Sequence, residues 1–163
     1  MTRGDDREFH DFVEARMDRW RRSAYLMCQD WHTADDLVSI AVTKLYRHWR
    51  DVRRADNPEA YAQKVLTRCW LNERRRPWRR EWAAERLPDR PAVAPDQVAD
   101  RDSLGRLLRA LAPRQRAVLI LRFYYDYSTE QVAEMLEVSV GTVKSQTARG
   151  LQTLRLSAEA LRG

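Results

Sequence analysis

From Phe9 the apolar residues fall at Phe9, Phe12, Val13, Met17, Trp20, Ala24 and Met27. That three-and-four spacing puts them on one stripe of a helix and predicts a first helix over 5–29. Thr33 followed by Asp36 has the form of a capping box, and Leu37, Ile40, Ala41, Leu45 and Trp49 continue the stripe behind it. A second helix is predicted over 34–50. Residues 51–56 are polar and predict a loop. Asn57 and Pro58 then offer an N-cap and a proline at the first helical position. The third helix passes through Ala62, Val65, Leu66 and Cys69 towards Arg76, where Pro77 restrains its continuation.

The pattern changes after Trp82. Residues 87–99 carry Pro88, Pro91 and Pro95 among small or polar residues without a helical period, as an extended linker does. Downstream, Leu104, Leu107, Leu108 and Leu111 make a short helix that stops at Ala112. Pro113 opens another, rich in Val118, Leu119, Ile120 and Leu121. Ser128 with Gln131 is a second capping box, followed by Val132, Met135 and Leu136. A break at Glu137 precedes Ser139 and a last helix to about Ala158. No strand alternation appears. The fold class expected is all-α: two small helical domains, 1–85 and 101–163, joined by a flexible linker, 86–100.

Composition adds a partner class. The 163 residues hold 30 Lys plus Arg against 24 Asp plus Glu, a net charge of +6, and the only lysines are Lys44, Lys64 and Lys144. The basic charge is therefore almost all guanidinium, whose planar fork suits phosphates and base edges. Met1 to Asp11 is polar, with no apolar signal region, and no window holds the roughly 18 apolar residues of a membrane span. A cytoplasmic protein is expected, with no membrane segment. Cys28 and Cys69 both lie in helical patterns and are read as reduced core thiols.

The sharpest local signal is 128–154. Ala133, the break at Glu137, Val138 facing inward and Val143 five residues later have the spacing of two crossing helices in a helix-turn-helix. Glu137 stands where many such units carry glycine, which predicts a turn of a different geometry. In such a unit the second helix enters the major groove, and here its N-terminal end reads Ser139, Val140, Gly141, Thr142, Val143, Lys144, Ser145, Gln146, Thr147, Ala148, Arg149. Ser, Thr and Gln can read base edges, while Lys144 and Arg149 suit phosphate or guanine. Alone, the pattern fits an ordinary helical hairpin as well. Beside the arginine-rich composition it points to DNA.

A second constellation is Arg68, Arg74, Arg75, Arg76, Arg79 and Arg80 with Trp70, Trp78 and Trp82 interleaved. Cations neutralise phosphates and flat rings stack on bases, the combination expected where DNA is held or its strands are separated. So many like charges at helical spacing repel one another, which a merely solvated face does not explain. No catalytic set assembles. His10, His32 and His48 have no zinc-ligand spacing with the cysteines, no glycine-rich phosphate loop is present, and the serines lack His and acid partners. No enzyme activity, metal or cofactor is expected. Asp35 and Asp36 are adjacent, so their side chains diverge, and Asp35 suits a helix start.

In this order the parts resemble a sigma factor of the extracytoplasmic-function type in the sigma-70 family. The resemblance covers nearly the whole chain. Its most specific stretches are AlaAspAspLeuVal at 34–38 leading into LysLeuTyrArgHisTrp at 44–49, AsnProGluAlaTyr at 57–61, and LeuAlaProArgGlnArgAlaValLeu at 111–119 leading to SerValGlyThrValLysSerGlnThrAlaArgGlyLeu at 139–151. The last stretch is similar to an actinobacterial branch.

The resemblance implies that the chain binds core RNA polymerase, recognises −35 and −10 promoter elements and promotes melting. Asp35, Asp36, Leu37, Val38 and Leu45 would dock on the clamp helices of the largest polymerase subunit; Ser39 and Ile40 stand where relatives usually carry Gln and an acid. The 51–57 loop with Asn57, Glu59, Tyr61, Gln63 and Lys64 would capture an unstacked −10 base, and Arg68, Arg74, Arg75, Arg76, Arg79 and Arg80 would hold the adjacent duplex. Ser139, Val140, Gly141, Thr142, Lys144, Ser145, Gln146 and Arg149 would read the −35 element. Arg114, Arg116 and Arg122 are candidates for phosphate or polymerase-flap contact. Trp20, Tyr46 and Trp49 are expected in the core, and Thr147 and Gly150 suit packing.

Promoter DNA and polymerase core are thus the expected partners. An anti-sigma factor is a further expectation that no residue demonstrates. Nucleoid association would accompany activity, and no regulatory domain is expected beyond Gly163. Two other classes compete. An autonomous helix-turn-helix regulator would bind a two-fold symmetric operator tightly without polymerase, but it has no use for a clamp-docking helix and an arginine–tryptophan run. A nucleic-acid-modifying enzyme would need the catalytic sets that the sequence lacks.

Overall fold

The structure is a computed structural model describing residues 1–73 and 103–162, and among these every regular element is helical. The arginine-rich run from Arg74 to Arg80, Trp78, Trp82 and the predicted linker lie outside the described residues. The chain divides into two compact units, Met1–Trp70 and Leu71–Gly163.

The first unit is built on α1 (Arg3–Cys28) and α2 (Trp31–Arg47). Thr2 caps α1 through a reciprocal box: its hydroxyl accepts from Asp5 N–H at 3.2 Å and the Asp5 carboxylate accepts from Thr2 N–H at 3.0 Å. At the other end Gln29 turns the chain in the left-handed region, φ 63°, and its N–H donates to Tyr25 O at 2.7 Å. One residue later Asp30 caps α2. So short a turn forces the helices antiparallel, and the partners run accordingly, Arg21 with Asp35 and Asp6 with Tyr46.

The start of α2 corrects the sequence expectation by three residues. The Asp30 carboxylate accepts from both Thr33 N–H, at 3.0 Å, and the Thr33 hydroxyl, at 2.6 Å, so Thr33 lies inside the helix instead of capping it. Asp35 consequently sits beyond the first turn. The helix also ends earlier than predicted, at Arg47, and the segment expected as a loop holds a short helix, α3 (Trp49–Arg54). Trp49 and Val52, three apart and buried, anchor that otherwise polar run to the core. Polarity alone misreads it because two side chains suffice to fix one turn.

Asn57 caps α4 (Pro58–Glu73) as expected, its Oδ1 accepting from Ala60 N–H at 3.1 Å. The core of this unit includes Phe9, Trp20, Met27, Leu37, Leu45, Trp49, Leu66 and Trp70. Trp20 and Trp49 fill the interior as predicted. Tyr46 does not: it is 44% exposed, with its ring edge on Phe9 and its hydroxyl donating to Asp6 Oδ1 at 3.1 Å. Cys28 and Cys69 form no disulfide, the first being half-buried and the second buried.

The second unit contains α5 (103–109), α6 (Pro113–Leu119) running on into a π-helical turn (Ile120–Tyr124), α7 (Thr129–Leu136) and α8 (Val140–Arg162). Ala117, Val118, Leu121, Val132 and Val143 form its centre. Gly150 is where α8 crosses α6. A Cβ there would stand 2.9 Å from Leu119 Cδ1, so only glycine allows this approach. Arg116 is buried, contrary to the expectation of a phosphate or polymerase contact. Its guanidinium serves carbonyls at the end of α5 instead.

Candidate nucleic-acid interface

The second unit contains two helices joined by a short turn. Ser128 caps α7 through the predicted box, its Oγ accepting from Gln131 N–H at 3.1 Å while Gln131 Oε1 accepts from Ser128 N–H at 2.8 Å. The turn after α7 overturns the expectation drawn from Glu137. Glu137 adopts φ 55°, ψ 47°, the left-handed conformation a glycine would take. Val138 N–H donates to Ala133 O at 3.0 Å and Glu137 N–H to Glu134 O at 3.3 Å, the paired closure of a Schellman turn. The geometry is the familiar one, held by a residue that pays a steric penalty for it.

Ser139 then starts α8. Its Oγ accepts from Thr142 N–H at 3.1 Å and lies 2.9 Å from Thr142 Oγ1. Val143 is fully buried and Val140 half-buried, so the helix packs on one side and presents Ser139, Gly141, Thr142, Lys144, Ser145 and Arg149 to solvent, with Gln146 half-buried beside them. The predicted −35 set is thereby brought together at one helix end. The Ser145 hydroxyl donates to Gly141 O at 2.8 Å, which leaves its lone pairs as acceptors facing outward. Thr147 is turned inward by a bond to Val143 O at 2.7 Å. Among the described residues neither Lys144 nor Arg149 has an acidic partner, so both cations are free for an anion.

In the first unit the predicted residues divide. Asp35 and Asp36 are exposed on α2, whereas Leu37, Val38 and Leu45 are 1%, 3% and 1% exposed and lie in the core. These three fix α2 in place and offer no contact surface. Gln63 is likewise corrected: it is 1% exposed, and its Nε2 donates to Thr67 Oγ1 at 3.2 Å inside the bundle. Trp70, read as a stacking ring, is buried. Asn57 and Glu59 are exposed at the start of α4, and Tyr61, Lys64 and Arg68 are half-exposed along it. Phe12, Trp49, Pro58 and Glu59 line a shallow recess beside the 51–57 segment.

Sequence reasoning missed two residues that touch this set. Arg16 Nε donates to Glu59 Oε1 at 3.1 Å with its guanidinium 4.0 Å from the Phe12 ring centroid, and Arg21 holds Asp35. Their partners lie 43 and 14 residues away, so no local pattern announces them.

A helix-turn-helix with a free basic face, in a chain whose other helical unit exposes the adjacent acids Asp35 and Asp36 on its second helix, has the makings of a DNA-binding protein. The comparisons agree on its kind. Residues 12–80 match Sigma-70 region 2 and residues 101–154 match Sigma-70 region 4. The chain is 37% identical over 157 residues to an RNA polymerase sigma-E factor of Streptomyces coelicolor, covering 93% of this chain and 86% of that one. It is 36% identical to the RNA polymerase sigma-E factor of Streptomyces avermitilis over 98% and 90%. A solved structure of the sigma factor RpoE with the anti-sigma factor NepR from Bartonella quintana shares the fold, with TM-score 0.77, 21% identity, and coverage of 93% of this chain and 97% of that one. The chain belongs to the sigma-70 family of RNA polymerase sigma factors, of the extracytoplasmic-function type. It is a transcription-initiation factor that works with polymerase core and promoter DNA.

Proposed function

We propose that the chain divides its work between a core-binding and −10-reading domain, 1–85, and a −35-reading domain, 101–163, with 86–100 between them. Exposed Asp35 and Asp36 take the polymerase clamp while Leu37, Val38 and Leu45 hold α2 from behind. Asn57, Glu59, Tyr61, Lys64 and Arg68, with the arginines at 74–76 and 79–80, engage the −10 region, and a recess floored by Phe12 and Pro58 and rimmed by Arg16 and Arg53 as well as by Glu8, Asp11 and Glu59 lies beside them. Extrusion of a base costs a few kcal/mol, which pocket contacts must offset. Ser139, Val140, Gly141, Thr142, Lys144, Ser145, Gln146 and Arg149 read the −35 element.

The observation that carries this reading is the free basic end of α8 behind a closed Schellman turn, a helix-turn-helix with no internal acid competing for Lys144 or Arg149 among the described residues. Two weak modules gain affinity by effective concentration only when their spacing is fixed, and polymerase core would fix it. Melting draws on binding of the separated strand, so the chain itself catalyses nothing. Among the described residues no helix is long and apolar enough to cross a membrane. The protein acts in the cytoplasm, on the nucleoid when engaged, and the anti-sigma factor bound to its structural relative suggests that such a partner masks it.

Run-off transcription tests the reading. Purified core with this protein should yield discrete promoter-specific transcripts that core alone does not. Tight binding of duplex by the free protein, with no new transcript from active core, would instead indicate an autonomous regulator.

A further inference from the structure

Asp35 and Asp36 stand side by side on α2, yet only one of them is braced from α1. Arg21 Nε donates to Asp35 Oδ1 at 2.7 Å, and the Arg21 Nη2 atom lies 3.5 Å from Oδ2. The guanidinium carbon is 5.3 Å from the centroid of the Trp31 ring, which itself stacks on Tyr25 with centroids 4.2 Å apart and planes 13° from parallel. Arg21, Tyr25 and Trp31 are all half-buried. An ordinary exposed ion pair between mobile side chains contributes little to stability. Here the aromatic pair limits where the guanidinium can go, and the guanidinium limits where the carboxylate can go.

The geometry has a direction. Arg21 takes one oxygen of Asp35 closely and leaves the other with only a long contact, so Oδ2 keeps lone pairs for a second donor. A carboxylate held in this way is ready for a cationic side chain of a partner, and the contact loses less freedom on forming than it would from an unbraced one. Asp36, beside it, has no such brace.

We propose that Arg21 is a positioning residue for polymerase docking: it orients Asp35 so that Oδ2 faces an arginine or lysine on the polymerase clamp. This rests on the reading of Asp35 as a polymerase contact. Arg21 acts through Asp35 and need not touch the polymerase.

The test is a double-mutant cycle on core affinity, measured by anisotropy of fluorescently labelled full-length protein titrated with active core polymerase, alongside thermal unfolding of each free variant. Arg21→Gln and Asp35→Asn should each weaken core binding by about 10-fold, and the double variant should be no weaker than Asp35→Asn alone. Arg21→Lys, which keeps the charge but loses the fork, should fall between wild type and Arg21→Gln while unfolding at the wild-type midpoint. A generalised structural defect would instead lower the midpoint and add to the effect of Asp35→Asn, which overturns the proposal. Weakening by Asp35→Asn with none by Arg21→Gln or Arg21→Lys overturns the positioning role and leaves the polymerase contact intact. Tighter binding by Arg21→Gln would mean that Arg21 competes for Asp35, again overturning it. No effect of Asp35→Asn removes the contact reading and the proposal together.

Discussion

The Nε of Arg116 donates to the carbonyl oxygen of Leu108 at 2.7 Å, and Nη2 of the same guanidinium donates to Leu111 O at 3.2 Å. One buried cation on α6 thus satisfies the Leu111 carbonyl and adds a second donor to Leu108 O, which already accepts from Leu111 N–H at 3.1 Å. Hydrogen bonds from charged donors are worth about 1.5–3 kcal/mol each, and removing the donor strands the Leu111 acceptor. Arg116→Met is therefore expected to cost about 3 kcal/mol in unfolding free energy, read from urea denaturation of the full chain. Arg116→Lys should recover only part, because an ammonium cannot present the same fork.

Gly150 gives a second stability expectation. Alanine at this buried helical position would gain up to about 1 kcal/mol in helix propensity. The new Cβ, however, would meet Leu119 Cδ1 at 2.9 Å in the interior, and overpacking of that kind costs about 1–3 kcal/mol. Packing wins, so Gly150→Ala should lower the thermal midpoint. Pairing it with Leu119→Ala, which frees the space, should leave Gly150→Ala with no further penalty.

Much of this fold is legible in the sequence because its signals are local. The Ser128–Gln131 box, the Asn57–Pro58 start and the apolar stripe of α1 each lie within a few residues, and each predicts the observed element. The failures share a cause. Thr33 looks like a cap until Asp30 competes for its hydroxyl; Trp49 and Val52 turn a polar run into α3 through core packing; Leu37, Val38, Leu45 and Gln63 are expected from the resemblance to make contacts but face inward. Arg116 reads as one more surface cation, and only the end of α5 reveals why it is buried. A basic residue's destination depends on what lies opposite it in space, which spacing along the chain does not encode.

Glu137 makes the opposite prediction to Gly150. A side chain at φ 55° costs roughly 1–2 kcal/mol that glycine avoids. Glycine loses more chain entropy on folding, which offsets part of the gain. Glu137→Gly should therefore stabilise the protein by about 0.5–1 kcal/mol, visible as a higher thermal midpoint. A drop in the midpoint would show that Glu137 has a packing or ion-pair role outweighing its backbone strain.

Asp5 carries the clearest pH expectation. The Thr2 backbone N–H, then the Thr2 hydroxyl, hydrogen-bond its carboxylate, and together with Arg53 they hold its pKa down to about 2. The folded value is depressed, so the capping contribution is fully present above the ordinary carboxylate range near 4 and is lost as pH falls from about 4 towards 2. The carboxyl carbon shift of Asp5 in an NMR titration should have its midpoint near 2. Thr2→Val should move that midpoint up, and no change in the cap is expected across the neutral range.

On the proposed reading, α8 should make two kinds of DNA contact along its length. Lys144 and Gln146 lie in the first two turns of α8, the part that reaches base edges in a major groove about 8.5 Å deep. Arg149 lies three residues beyond Gln146, about 4.5 Å further along at 1.5 Å per residue, and its long side chain is expected to reach the phosphate rim. With polymerase holoenzyme on a cognate promoter, Arg149→Ala should weaken binding by a similar factor for every −35 sequence and reduce the salt-dependence slope by about 0.9. Gln146→Ala should instead leave the slope unchanged and relax preference at one base pair by about 1–3 kcal/mol. Ser145 can act only as an acceptor while its hydroxyl is committed to Gly141 O, so its base preference should favour an exocyclic amine. A salt slope altered by Gln146→Ala and untouched by Arg149→Ala would reverse the assignment and mean that α8 enters the groove in a different orientation.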